Sequence, residues 1–257
     1  MSAKIRLDLL LVRRGLSPSR QRAREQIEAG EVRVDGLPVT RPAAQVEVDR
    51  AVDVGELGHS WVGRGALKLL GVLDPLGIDA TGRVCADLGA STGGFTEVLL
   101  HRGATRVYAV DVGHNQLHWR LRSDPRVVSM EGVNARHLEA LPEPVSLLVG
   151  DLSFISLQLI VPTIVRLLAP GGEAVILVKP QFEAGRDGVG KGGKVRSDAV
   201  RADAIARATA AAQAVGLQLR GGIDSPLAGA KAGNVEYFLH LARPAPPTTA
   251  TGGMLGG

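Results

Sequence analysis

The sequence predicts an α/β protein, a doubly wound sheet with a small α+β unit in front of it. Two patterns carry the prediction. From about residue 64 onward, apolar strands alternate with helical stretches, as they do where helices cover both faces of a sheet. Before that, short helix and strand signals crowd together among many arginines. The chain of 257 residues, 45% of them hydrophobic, is ample for two cores and excludes wholesale disorder.

Residues 1–55 form the first unit. Leu7, Leu10 and Leu11 share a helical face, and Gly15 closes that segment. Ser17-Pro18 predicts a second helix, with Ser as N-cap and Pro in the first helical position. Its Ala23 and Ile27 face inward and Gly30 ends it. Glu31-Val32-Arg33-Val34 alternates as a strand, Asp35-Gly36 is a tight turn, and Leu37 to Val39 starts the return. Val46, Val48 and Val52 mark a last strand. Residues 1–24 hold seven basic side chains (Lys4, Arg6, Arg13, Arg14, Arg20, Arg22, Arg24) against one acid, Asp8. The chain as a whole is only +4, so a head of +6 sits on a body of −2. Charge concentrated in this way fits a polyanion-binding surface.

Residues 56–63 read as a linker and 64–243 as the second domain. Strands are expected near 83–87, 106–111, 126–130, 145–150, 173–179, 217–223 and 235–242, and helices near 65–74, 94–102, 115–122, 156–169 and 199–215. Residues 184–198 form a Gly-rich loop carrying Arg186, Lys191, Lys194 and Arg196, long enough to suspect a function and placed to clamp a polyanion. The stretch 244–257 is low in complexity and expected to be disordered. The single Cys85 cannot form an intrachain bridge, which fits a reducing cytoplasm. No apolar run reaches the roughly 18 residues of a membrane span, and the N-terminus lacks the apolar core of a signal peptide.

The strongest local signal is Val84-Cys85-Ala86-Asp87-Leu88-Gly89-Ala90-Ser91-Thr92-Gly93-Gly94-Phe95. A strand ends in Asp87, a glycine turn follows, and a helix starts near Gly94, so a ligand could approach the backbone closely. The next strand ends in Asp111, 22 residues after Gly89, where an acid is placed to bind ribose hydroxyls. The spacing is not Gly-x-Gly-x-x-Gly, which argues against a dinucleotide dehydrogenase.

Charged residues also stand where apolar strands end. Asp151 follows Leu147-Leu148-Val149-Gly150, and Lys179 follows Ala174-Val175-Ile176-Leu177-Val178. Glu236 lies in Gly233-Asn234-Val235-Glu236-Tyr237-Phe238, and Lys68 lies on the first helix of the domain. Ligands of open α/β sheets bind beyond the carboxyl ends of the strands, so these charges should flank the glycine loop. A charge at such a position costs desolvation unless it is paired.

At these residues the sequence resembles the hemolysin-A/TlyA family of ribosomal RNA 2′-O-methyltransferases, over residues from about 5 to 242. The matching motifs are Asp87 to Thr96, Asp151-Leu152-Ser153-Phe154-Ile155-Ser156, Val178-Lys179-Pro180-Gln181-Phe182-Glu183 and Gly233 to Phe238. The head similarly resembles the S4-type RNA-binding domain, through Arg6-Leu7-Asp8, Ser19-Arg20 and Gly30 to Val34. The resemblance implies a Rossmann-like, FtsJ-type class I methyltransferase domain that uses S-adenosyl-L-methionine and no metal. It implies a Lys-Asp-Lys-Glu catalytic set, here Lys68, Asp151, Lys179 and Glu236. Cofactor contacts are expected from Asp87, Gly89, Ala90, Ser91, Thr92, Gly93, Gly94 and Phe95 at the loop, Asp111 at the ribose, Asn134-Ala135 at the adenine, and Asp151. Lys4, Arg6, Arg13, Arg14, Arg20, Arg22 and Arg64 are expected on ribosomal RNA, and the chain is expected to act as a monomer. Lys179 would orient the ribose hydroxyl and either accept its proton or stabilise the oxyanion, with Lys68 close enough to repel it. His59-Ser60-Trp61-Val62 departs from the Arg-x-Trp-Val of close relatives, and the C-terminus lacks the extra charged helix expected of members that act on both ribosomal subunits.

Four rivals fit less well, the first being an RNA-binding ribosome-assembly factor without activity, which the intact set of Lys68, Asp151, Lys179 and Glu236 argues against. Pseudouridine synthases carry a catalytic Arg-Leu-Asp, but Arg6-Leu7-Asp8 lies in the head with no catalytic β domain around it. His114 and His118, four apart, lack the Cys or acid cluster that would complete a metal site. A membrane-active hemolysin would need a span or a strongly amphipathic cationic helix.

Overall fold

A computed structural model describes residues 3–28, 30–35, 37–54, 61–185, 187–229 and 232–246. Gly36, His59, Arg186 and the tail from residue 247 lie outside the described residues, as does the linker up to Ser60.

The head comprises β1 (Lys4–Arg6), α1 (Leu7–Arg13), α2 (Arg20–Glu28), β2 (Val32–Val34), β3 (Leu37–Pro38), β4 (Gln45–Glu47) and β5 (Val52–Val54). Leu7, Leu11, Ala23, Ile27 and Val32 are fully buried and form its core. Helix α2 starts later than Ser17-Pro18 predicts. The Ser17 hydroxyl donates to the Ser19 carbonyl at 3.2 Å instead of capping a helix. Ser19 Oγ then caps the helix, accepting the Arg22 N–H at 3.1 Å. The single last strand expected around Val46 to Val52 is in fact two. β4 pairs with β1, and β5 with β2, both antiparallel. Arg50 holds the turn between them, reaching Asp35 at 2.5 Å and Glu47 at 3.1 Å.

Asp8 is the hub of the head. It is fully buried, with Arg6 on both carboxylate oxygens at 2.9 and 2.8 Å and Arg20 at 3.1 Å. The Arg6 hydrogen bonds hold its carboxyl at about 2, below the usual 3.8. A folded value below the unfolded one gives stability that is complete above the unfolded value and lost as pH falls through the folded one. Urea melts should therefore show the midpoint dropping between pH 4 and pH 2, and Asp8→Asn should flatten that slope.

The body comprises α3 (Gly65–Leu73), β6 (Val84–Leu88), α4 (Gly94–His101), β7 (Arg106–Asp111), α5 (Trp119–Arg122), β8 (Val127–Glu131), β9 (Val145–Gly150), α6 (Val161–Leu167), β10 (Leu168–Val178), α7 (Pro180–Glu183), α8 (Asp198–Ala214), β11 (Gln218–Asp224) and β12 (Tyr237–Ala242). The seven strands run in the order β11-β12-β10-β9-β6-β7-β8. β8, β7, β6, β9 and β10 are mutually parallel, and the β9–β10 pairing shifts register between Leu168 and Glu173. β12 is antiparallel to both its neighbours. No helix lies between β11 and β12 among the described residues, so the chain does not cross over the sheet there and turns back.

Successive residues of each strand feed opposite cores. Cys85 and Leu147 face α3 and α4 with Leu69, Val72, Val98 and Leu99. Ala86 and Leu148 face α6 and α8 with Ile164, Ala208 and Ala212. Each fully buried Leu or Val contributes about 1.5–3 kcal/mol. The helix expected over 115–122 shrinks to α5, because the Glu131 carboxylate takes the N–H groups of Gln116 and Leu117 at 2.6 and 3.0 Å. The one expected over 156–169 is cut into a 3₁₀ turn (Leu157–Leu159) and α6, with Pro162 in the first turn of α6. No helix of the described residues is long and apolar enough to cross a membrane.

Candidate active site

Four parallel strands end on one rim of the sheet. β6 runs into the glycine loop, β7 ends in Asp111, β9 is followed by Asp151, and β10 by Lys179. The reversed β12 starts on that same rim. Its Tyr237 pairs with Val178, so Glu236 and Lys179 become neighbours. Helix α3 buries Ala66, Leu69, Val72 and Leu73 and carries Lys68 into the group.

The four charges form one chain of ion pairs. Lys68 Nζ lies 2.7 Å from Glu236 Oε2 and 3.6 Å from Asp151 Oδ2. Lys179 Nζ lies 2.6 Å from Asp151 Oδ1 and donates to Ser153 Oγ at 2.7 Å. Both lysine side chains are 10% exposed and that of Glu236 3%. Charges this dry persist only when paired. Asp151 stands between the two ammonium groups, so the direct repulsion expected from Lys68 is offset.

Three cavities meet at this group. One of about 400 Å³ is lined by Gly89, Ser91, Asp111, Asn134, Ala135 and Asp151. One of about 200 Å³ runs along the loop past Gly89, Ala90, Ser91, Thr92, Gly94 and Phe95 to Asp151 and Lys179. A third, about 420 Å³, opens on the far side of Lys68, Lys179 and Glu236. Ser153 lines all three.

The loop is built for close approach. Gly89 has φ +82°, and a Cβ there would lie 2.9 Å from the Asp151 carbonyl oxygen. Asp111 pins the loop, its two oxygens accepting the N–H of Ser91 at 2.8 Å and of Gly113 at 2.7 Å. Two expected ligand contacts are placed elsewhere. Asp87 is fully buried beneath the loop, and its Oδ2 accepts the Thr96 N–H at 2.9 Å and hydroxyl at 2.7 Å, tying down the start of α4. Gly93 faces the side chains of Leu117 and Leu121 instead of a cavity. Burial pushes the Asp87 carboxyl up to about 7, with Asp151 and Asp111 adding to the rise.

Residues 61–243 match the model of the FtsJ-like methyltransferase family, and residues 5–52 that of the S4 domain. The chain belongs to the FtsJ-like methyltransferases. A curated relative, the 16S/23S rRNA (cytidine-2′-O)-methyltransferase TlyA of Mycobacterium tuberculosis, is 50% identical over 94% of this chain and 91% of its own length. Hemolysin A of Brachyspira hyodysenteriae is 41% identical over 92% of this chain and 99% of its own length. A candidate hemolysin of Streptococcus thermophilus with a solved structure is 38% identical, with a TM-score of 0.71 over 96% of this chain and 91% of that one. The methyltransferase has the Rossmann-like sheet that its sequence predicts, with the S4 domain in front.

The methyltransferase spends several of its expected RNA cations internally. Arg6 and Arg20 serve Asp8, Arg14 donates to the Val48 carbonyl at 2.6 Å, and Arg22 reaches Glu25 at 3.4 Å. Arg64 bonds the Ala228 carbonyl at 2.7 Å. Lys4 and Arg13 are exposed on the head. Sequence reasoning missed Ser153, although it lies two residues beyond Asp151. It also missed Glu183, which accepts from Ser156 Oγ and the Leu157 N–H, each at 2.7 Å, and so ties two motifs together. Glu97 was missed as well; it accepts the Val62 N–H at 2.6 Å and fixes the entry into the domain.

Proposed function

We propose that the chain methylates the ribose 2′-hydroxyl of a cytidine in ribosomal RNA, with S-adenosyl-L-methionine as donor. The observation that carries this reading is the buried Lys68-Glu236-Asp151-Lys179 chain at the junction of three cavities. The two cavities along the glycine loop suit the donor, and the third suits the target nucleotide. Gly89, Ala90 and Ser91 would hold the amino-acid part, Asp111 the ribose, and Asn134 and Ala135 the adenine. When bound, the donor supplies a methyl group on a positively charged sulfur.

The chain's own residues then do the work. The methyl passes to O2′ with its bond to sulfur breaking, and the hydroxyl proton departs. Lys179 orients O2′ and either accepts that proton or stabilises the oxyanion. Asp151 and Ser153 aim Lys179, while Glu236 holds Lys68 so that Lys68 in turn steadies Asp151. Alignment of oxygen and methyl is worth as much as the proton transfer, because the sulfonium methyl is already electrophilic. Phe154 sits at the mouth with φ +62°, 81% exposed and 5.1 Å from the Phe182 ring. A left-handed phenylalanine is strained, and its open face offers the base a stacking surface worth about 1–3 kcal/mol.

On this reading the enzyme works in the cytoplasm as a monomer, and its substrate is large-subunit RNA. The test is transfer of labelled methyl to purified subunits, followed by mapping of the product. A 2′-O-methylcytidine in large-subunit RNA supports it; no transfer, or a methyl on a base atom, overturns it. The head is tested apart from the site. Neutralising Lys4 and Arg13, the exposed cations of the head that take no part in the Asp8 hub, should weaken RNA binding and lower its salt dependence. Cofactor affinity, measured by calorimetry, should stay within about twofold, because phosphate contacts and the cofactor pocket act independently.

A further inference from the structure

Residues 188–196, from the segment read as a loop, form a small hairpin. Val189 and Val195 bridge antiparallel, Gly190 N–H donates to the Lys194 carbonyl at 2.7 Å, and Arg196 N–H donates to that of Gly188 at 3.1 Å. The hairpin's tip walls the third cavity, which Gly192 and Gly193 line together with Lys68 and Lys179. It does not reach that position through an apolar core of its own. Its base at Gly188 lies close to Ala184 and Val200, and one buried side chain bonds the rest. Asn234, 8% exposed, accepts the Val195 N–H on Oδ1 at 3.0 Å and donates from Nδ2 to the Gly193 carbonyl at 2.8 Å. The two bonds use both ends of the amide, so its orientation is set by the hairpin itself.

Lys191, Lys194 and Arg196 point outward from this hairpin. None of them makes an ion pair among the described residues. Other body arginines are held by carboxylates, Arg102 by Asp74, Arg106 by Glu143 and Arg122 by Glu131. Lys194 and Arg196 also line a further cavity of about 420 Å³ that Asn234 shares from its other side. Three uncommitted cations beside a cavity sized for a nucleotide have the chemistry of a phosphate contact.

We propose that Asn234 is a positioning residue for the RNA, docking the 188–196 hairpin so that Lys191, Lys194 and Arg196 grip the phosphates flanking the target ribose. Asn234 and Glu236 then divide one short segment between them. Glu236 orders the ion-pair chain on one side, and Asn234 orders the clamp on the other. The inference rests on the RNA-methylating reading, so transfer by the wild-type protein is measured first; its absence would sink that reading before the clamp is tested.

The experiment compares wild type, Asn234→Ala and K191A/K194A/R196A by steady-state methylation of ribosomal subunits, calorimetry with S-adenosylmethionine, and salt titration of RNA binding. Both variants should raise KM for the subunit about fivefold or more, with kcat and cofactor affinity changed less than about twofold. The triple variant should lower the slope of log affinity against log salt by about two to three units, one for each phosphate that is no longer neutralised. Asn234→Ala should also expose the hairpin to trypsin, whereas a purely structural asparagine would lower thermal stability and leave the KM-to-kcat split unmoved. The three cations are exposed, so their variant folds whatever becomes of the first. Subunit KM values within twofold of wild type in the triple variant, or a loss confined to kcat in Asn234→Ala, would overturn the proposal.

Discussion

Lys179→Ala lowers the rate of methyl transfer by about 10²–10⁴-fold, the range that one positioned proton acceptor or oxyanion donor supplies. Cofactor affinity should fall far less than the rate, because of the two donor cavities only the smaller one reaches Lys179. The variant should still fold, since Asp151 keeps Lys68 at 3.6 Å as a counter-charge. Single-turnover methylation with saturating cofactor reads the effect; a rate within tenfold of wild type would remove Lys179 from the chemistry. Lys179→Arg divides the two roles left open for this residue. A guanidinium can stabilise an oxyanion but cannot accept a proton at neutral pH. A rate restored to within about tenfold of wild type favours stabilisation, and a rate as low as that of the alanine variant favours proton acceptance.

Glu236→Ala has the largest expected effect on stability, a loss of about 3–5 kcal/mol in urea unfolding. Glu236 is 2% exposed and Lys68 8%. Removing the carboxylate strands Lys68 with only Asp151, at 3.6 Å in place of a partner at 2.7 Å. The double variant Lys68→Met with Glu236→Leu should recover much of the loss, because the desolvation cost of both charges is then absent. It should not recover activity. A double variant no more stable than Glu236→Ala alone would mean that the pair stabilises through packing rather than charge.

Much of this site can be read along the chain. Asp87 to Phe95 announces itself by a strand, a glycine turn and a helix within a dozen residues. Asp151 and Lys179 announce themselves as charges closing apolar strands. That both face one crevice also follows from general rules, since the carboxyl ends of parallel strands share one rim. Other features resist such reading. Asp87 closes an apolar run as Asp151 does, yet it lies within its strand, opposite Val149, and is fully buried beneath the loop, whereas Asp151 stands beyond the end of β9. Arg6 and Arg20 belong to the same basic cluster as Arg13, yet a single buried acid claims them. The charge count of the head is a property of the sequence; how many of those charges remain for a ligand is a property of the fold.

The division has a physical basis. Apolar periodicity, glycine turns, caps and local charge all act within a few residues, so composition and order along the chain determine the α/β class, the basic head, the cofactor loop and the candidate acids and lysines. Lys68 and Glu236 are 168 residues apart. They become partners because β12 turns back against β10 and starts on the rim where the parallel strands finish. That reversal is decided by the sheet as a whole, through the pairing of β12 between β10 and β11. The ion-pair chain, the inward turn of Asp87, the commitment of Arg6 and Arg20, and the docking of the hairpin by Asn234 all belong to tertiary structure, because each depends on which distant surface a side chain is pressed against.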